Sequence, residues 1–125
     1  MKTLQDTILG DLKFDYGWRK SIEICGQHLE AIFDAFDEEQ PTDAQRKSYQ
    51  SFIGEQEEYL KKASQTLKEY QKSHTDAEGN IYYTAIYFAR NGDYGILANC
   101  DWDPENGIAI LLFPEIQVTE QDRLI

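Results

Sequence analysis

Asp101, Asp103 and Glu105 set three carboxylates on alternate positions of Asp101-Trp102-Asp103-Pro104-Glu105-Asn106-Gly107, the densest polar cluster of the chain. Oxygen ligands at alternate positions are what a calcium loop uses. Here the required glycine falls one residue late, at Gly107, and the twelfth position is Leu112 instead of a chelating glutamate. No metal is therefore expected at this motif. Two readings stay open. The stretch is a hairpin turn, in which Pro104 sets φ and Asn106-Gly107 tolerates positive φ. Alternatively, it is an acidic tip on a rigid sheet that meets a basic pocket, with Trp102 as the anchor. Asp37-Glu38-Glu39 offers a second run of carboxylates with the same chemistry.

Other reactive side chains form no pattern. His28 falls on the polar side of an alternating stretch and His74 in a loop, too far apart in sequence to read as a ligand pair. Cys25 and Cys100 fall in apolar, strand-like runs with no C-x-x-C, so both read as reduced thiols packed as small hydrophobes. There is no G-x-S-x-G and no glycine-rich phosphate loop, and carboxylate spacing selects no acid–base pair. An enzyme is not expected, and no cofactor is implied.

The elements that must carry these residues are legible as patterns. Leu12, Phe14 and Tyr16 share one face, followed by Trp18, Lys20, Ile22 and Ile24, then Leu29, Ala31, Phe33 and Ala35. This period of two predicts a three-stranded N-terminal meander. Pro41 closes the region, Thr42 is an N-cap, and Gln45 stands at the N3 position of a capping box. Tyr49, Phe52, Ile53, Leu60, Ala63, Leu67 and Tyr70 then recur at helical intervals, with Gln56 in the missing turn. One helix over 43–72 would be about 45 Å long. A globule of this chain length is only about 35 Å across. A break or bend is therefore expected near Gly54, giving one bent helix or two. Ile81 to Arg90 is apolar on both faces, which predicts a central strand covered on both sides. Asn91-Gly92 predicts a hairpin into Tyr94–Trp102, and Ile108–Phe113 follows, with a short strand around Ile116 and Val118. The expected architecture is a single α+β domain over 1–125, with an antiparallel sheet of about six or seven strands around a helical insert.

Charge decides the class of partner. The formal net charge is −11. Residues 42–72 carry six basic and five acidic residues, 1–41 carry four and nine, and 73–125 carry two and nine. The negative field thus belongs to the strand-forming flanks. It disfavours nucleic acid as a direct ligand and favours a basic protein. No apolar run approaches the roughly 20 residues that span a bilayer. Met1-Lys2-Thr3-Leu4-Gln5-Asp6 lacks a signal-peptide hydrophobic region, so a cytoplasmic protein without membrane association is expected.

The stretch from Gly95 through the Asp101–Gly107 turn to Ile110, with Gln121-Asp122 near the end, resembles a family of uncharacterised small bacterial proteins. That family carries a D-W-D-x-E-H-G-like turn between two strands and a final Q-D strand. Gly10 to Trp18 (Gly-Asp-Leu-Lys-Phe-Asp-Tyr-Gly-Trp) is also similar to it, while Asn106 stands where the family has a histidine. In general character the chain is similar to immunity proteins of bacterial toxin systems, which are small, acidic, cytosolic and α+β. That likeness implies stoichiometric neutralisation of a cognate toxin, commonly a basic nuclease. Charge and loop position, not the likeness, point to Asp101, Asp103 and Glu105 with Trp102 as anchor for one contact patch, and to Asp37, Glu38 and Glu39 for another. The alternatives are an accessory module whose acidity serves solubility, and a small metal-binding protein or enzyme using residues 101–105.

Overall fold

The computed structural model describes residues 2–121. Four strands open the chain: β1 (Thr3–Asp6), β2 (Gly10–Phe14), β3 (Trp18–Ile24) and β4 (Gln27–Phe33). Helices α1 (Asp43–Gly54) and α2 (Gln56–Ser73) follow. Four further strands complete it: β5 (Ile81–Phe88), β6 (Tyr94–Cys100), β7 (Ile108–Phe113) and β8 (Gln117–Thr119). All eight lie in one sheet in sequence order. The fold is α+β, with one strand more than expected. The extra strand is β1, which has a single apolar residue, Leu4, and is half-exposed at the sheet edge, so no alternation announces it.

The antiparallel expectation holds for every neighbouring pair except β4 and β5, which run parallel. Parallel neighbours need a long crossover, and the helical insert supplies it. The insert breaks into two helices where the sequence placed the bend, with Glu55 at φ −126° and ψ 29° between them. Gln56, which interrupts the apolar stripe, accepts a hydrogen bond from the Cys25 backbone N–H at 3.2 Å and so ties the break to the β3–β4 turn. Cys25 is exposed in that turn at φ 49°, not packed in a strand as expected, while Cys100 is buried.

Both helices pack on one sheet face. Phe52, Leu60, Ala63 and Leu67 join Trp18, Ile22, Leu29, Phe33, Phe88, Tyr94, Ile96 and Ile110 in the main core. Lys20, which alternates with the apolar residues of β3, belongs to this face. Its Nζ donates to the Leu9 carbonyl at 2.6 Å and lies 4.7 Å from the centre of the Tyr49 ring.

The other face was expected to be covered over β5, but no helix residue belongs to the apolar cluster there. Ile32, Ala85, Tyr87, Leu97 and Ala109 form that cluster, and each is at most 9% exposed. Short side chains at Ala85 and Ala109, set between longer neighbours on adjacent strands, let these residues shield one another. We call this the open face.

Gln45 anchors the crossover. Its side chain completes the capping box with Thr42. Its Nε2 also donates to the carbonyls of Asp34 at 2.8 Å, just past β4, and of Phe88 at 3.0 Å, the last residue of β5. Thr42 Oγ1 donates to the Arg90 carbonyl and Ser48 Oγ to that of Gly92. A fully buried glutamine is stable here because its polar atoms are partnered.

Candidate functional site

Sheet register places the two carboxylate runs. Phe33 pairs with Phe88, Phe88 with Tyr94, and Tyr94 with Phe113, which defines one end of the sheet, the near end. Ile81 pairs with Cys100 and Ala98 with Ile108 at the opposite, far end. Asp37, Glu38 and Glu39 follow β4 at the near end, whereas Asp101, Trp102, Asp103 and Glu105 follow β6 at the far end. The length of β6 separates them, roughly 20 Å at the rise of a strand. The structure brings together the members of each group but not the two groups.

At the far end the carboxylates serve their own turn. Asp101 Oδ2 accepts from the Asn80 N–H at 2.8 Å, joining the β6–β7 connection to the loop before β5. Asp103 Oδ1 accepts from the Asn106 N–H at 3.3 Å and from Asn106 Nδ2 at 3.2 Å. The Asp103 carbonyl takes the Gly107 N–H at 2.9 Å. Gly107 has φ +65°, and a Cβ there would stand 2.5 Å from the Ala98 carbonyl oxygen, so the position needs glycine. Glu105 is exposed and belongs to none of these bonds. Trp102 is half-buried against the main core. Burial pushes the Cys100 thiol above its ordinary value, and the nearby carboxylates of Asp103 and Asp101 add to the rise. Among the described residues no three His, Cys, Asp or Glu side chains converge to hold a metal. Gln121 Nε2 donates to the Ala98 carbonyl at 2.8 Å beside Gly107, so this motif residue meets the turn, although it lies beyond β8. Asp122 lies outside the described residues.

The near end is built differently. Trp18 Nε1 donates to the Glu39 carbonyl at 2.6 Å, which fastens the segment after β4 over the β2–β3 turn. That turn reverses at Tyr16 (φ 53°) and Gly17 (φ 124°), and a Cβ on Gly17 would come within 3.1 Å of the Phe33 carbonyl. Positive φ carries Tyr16 off the face it was expected to share with Leu12 and Phe14 and leaves it 91% exposed. Phe36 is 69% exposed. Its ring lies 5.3 Å from the Arg90 guanidinium carbon, and Arg90 Nε is 3.9 Å from Asp34 Oδ2. Asp37, Glu38 and Glu39 are exposed, and Glu38 pairs with Lys2 at 3.0 Å. No salt bridge reaches Asp15, Asp37 or Glu39 among the described residues.

A groove of about 520 Å³ lies on the open face, lined by Tyr16, Arg19, Glu30, Ile32, Asp34, Thr84, Ala85, Tyr87 and Leu97. Arg19 and Glu30 form an ion pair across its wall. Burial pushes the Tyr87 hydroxyl up to about 12, and Asp34 adds to the rise, so the phenol is neutral over the physiological range. The residues that sequence reasoning missed are Tyr16, Phe36 and this groove. Phe36 carried a signal, because it stands out of phase with the alternation Leu29, Ala31, Phe33, Ala35. Tyr16 is in phase with Leu12 and Phe14 and carried none.

No helix of the described residues is long and apolar enough to cross a membrane. No protein-family model, curated protein or solved structure matches the chain.

Proposed function

We propose that this protein acts by binding a basic protein stoichiometrically, as an immunity protein neutralises its cognate bacterial toxin, and that the near end makes the main contact. The observation that carries this reading is the segment Asp34–Glu39, four carboxylates without a basic residue, fastened at both ends and holding the exposed Phe36. A rigidly held loop loses little entropy on binding, and an aromatic side chain beside it supplies the area of a hot spot. A nuclease must be positive where it grips phosphate, so an acidic surface competes for that cleft and steers the encounter. The cytoplasmic location expected from the sequence belongs to the same proposal. The bonds within the far-end turn make Asp101 and Asp103 the weaker candidates, and the half-buried Trp102 has less surface to offer than Phe36.

The test is affinity capture with tagged protein at low and moderate salt, followed by co-expression with whatever is captured. One basic partner, held near one-to-one and weakened by salt, whose growth arrest this chain relieves, is the expected result. Partners that are acidic, or binding that salt leaves unchanged, would overturn the reading.

A further inference from the structure

The chain holds two Asn-Gly pairs, Asn91-Gly92 between β5 and β6 and Asn106-Gly107 between β6 and β7. Such a pair carries its own chemistry. The glycine nitrogen, once its proton has passed to hydroxide, attacks the asparagine Cγ, because no side chain stands in the way. A C–N bond forms, the Cγ–Nδ2 bond breaks, and ammonia leaves a succinimide behind. Water then opens either carbonyl of that ring and yields aspartate or isoaspartate. The sum is asparagine plus water to acid plus ammonia. We infer that Asn106 is a site of spontaneous deamidation in the folded protein, and that Asn91, with the same neighbour, is protected by helix α1. This is independent of the basic-partner reading.

The reaction needs the glycine N–H released from its acceptor and the carboxamide turned toward it, so its rate follows how readily each turn opens. Both N–H groups are engaged, Gly92 to the Ala89 carbonyl at 3.0 Å and Gly107 to that of Asp103 at 2.9 Å. Their surroundings differ. Asn91 Oδ1 accepts from the Asp93 N–H at 3.0 Å. From the helical insert, Ser48 Oγ holds the Gly92 carbonyl and Thr42 Oγ1 that of Arg90. A Cβ on Gly92 would stand 3.3 Å from the Ala44 Cβ, so the hairpin lies directly against α1. Opening it means parting it from the helix. At the other pair, among the described residues, the Asn106 N–H, its carboxamide and the Gly107 N–H are all held by one residue, Asp103. No helix residue bonds to that turn among the described residues. When Asp103 lets go, carboxamide and glycine nitrogen are released together. Conversion then replaces the Nδ2 donor by a carboxylate that faces Asp103, a repulsion where a bond stood. Isoaspartate also lengthens the main chain by one carbon beside Gly107, which is buried against the Ala98 carbonyl.

The full chain is aged in heavy-oxygen water at mildly alkaline pH, and label incorporation is followed by peptide mapping with electron-transfer fragmentation, which separates aspartate from isoaspartate. Asn106 should convert about tenfold faster than Asn91 while the protein is folded, as the extra bonds from the helical insert require. In urea the two rates should converge, since glycine follows both. Asp103→Ala should speed Asn106 about fivefold, equivalent to about 1 kcal/mol of turn bonding, and leave Asn91 unchanged. Asn91 serves as the internal control for unfolding. Conversion of Asn91 level with or ahead of Asn106 in the folded protein would overturn the proposal. So would an Asp103→Ala variant in which Asn106 keeps its rate, or in which both sites quicken alike through general loosening.

Discussion

The segments 34–39 and 101–107 are both acidic connections that leave a strand of the same sheet, and they end with different capacities. In 101–107 the carboxylates of Asp101 and Asp103 bond to Asn80 and Asn106, and Trp102 leans into the core. In 34–39 the backbone is held by others, through Gln45 and Trp18, and among the described residues the side chains of Asp37 and Glu39 make no hydrogen bond or salt bridge. A loop braced by its own carboxylates spends their hydrogen-bonding capacity internally. A loop braced through its main chain keeps its carboxylates for a partner.

Removing the brace tests that contrast most severely. Gln45→Leu leaves the Asp34 carbonyl without its buried donor and opens the capping box, which should cost about 3 kcal/mol in denaturant unfolding. It should also weaken partner binding, because the segment loses its anchor. A variant as stable as the parent would show that the near end is held by something else. Charge reversal comes next. Asp37→Lys combined with Glu39→Lys should weaken the partner about 10- to 30-fold, largely through the association rate. Glu105→Lys should change affinity less than about threefold, as a rim charge does. Equal losses at the two ends would abolish the distinction between them.

Asp103→Ala should show the reverse profile. Loss of the turn bonds to Asn106 is expected to cost about 1 kcal/mol of stability, with affinity unchanged. Binding that collapses in this variant would return the contact to the far end. The smallest effect is acid sensitivity at the Asp6 turn. Burial of the Asp6 carboxyl favours its neutral form, but hydrogen bonds from Arg46 and from the Leu9 and Ile8 N–H groups outweigh this and hold it below its ordinary value of 3.8. A depressed carboxyl stabilises the fold above its unfolded value, and that contribution fades as pH falls through the lower folded one. Melting temperature should therefore drop more steeply below about pH 4 in the parent than in Arg46→Met, where the depression is relieved. Parallel profiles would deny this tie its role.

Much of this architecture can be read from local periodicity. The alternation through β3 and β4, the capping box at Thr42 and Gln45, the break at Gly54 and the Asn91-Gly92 hairpin each depend on a few neighbouring residues, and each is where the pattern placed it. Strand β1 was illegible because an edge strand buries too little to need an apolar stripe. The parallel β4–β5 pair was illegible because pairing across an insert is a property of the assembled sheet.

The carboxylate clusters themselves, and the excess of acid over base in the flanks, are properties of composition and need no coordinates. Whether those carboxylates are free is another matter. Asp103 turns inward to Asn106, and Asp37 does not, because one loop must close on itself while the other is secured by a glutamine and a tryptophan, 11 and 21 residues away in sequence. The open face likewise arises only when Ile32, Ala85, Tyr87, Leu97 and Ala109 are drawn from four strands into one surface. A one-dimensional pattern records which side of its own strand a residue takes, and not whether any layer comes to lie over it.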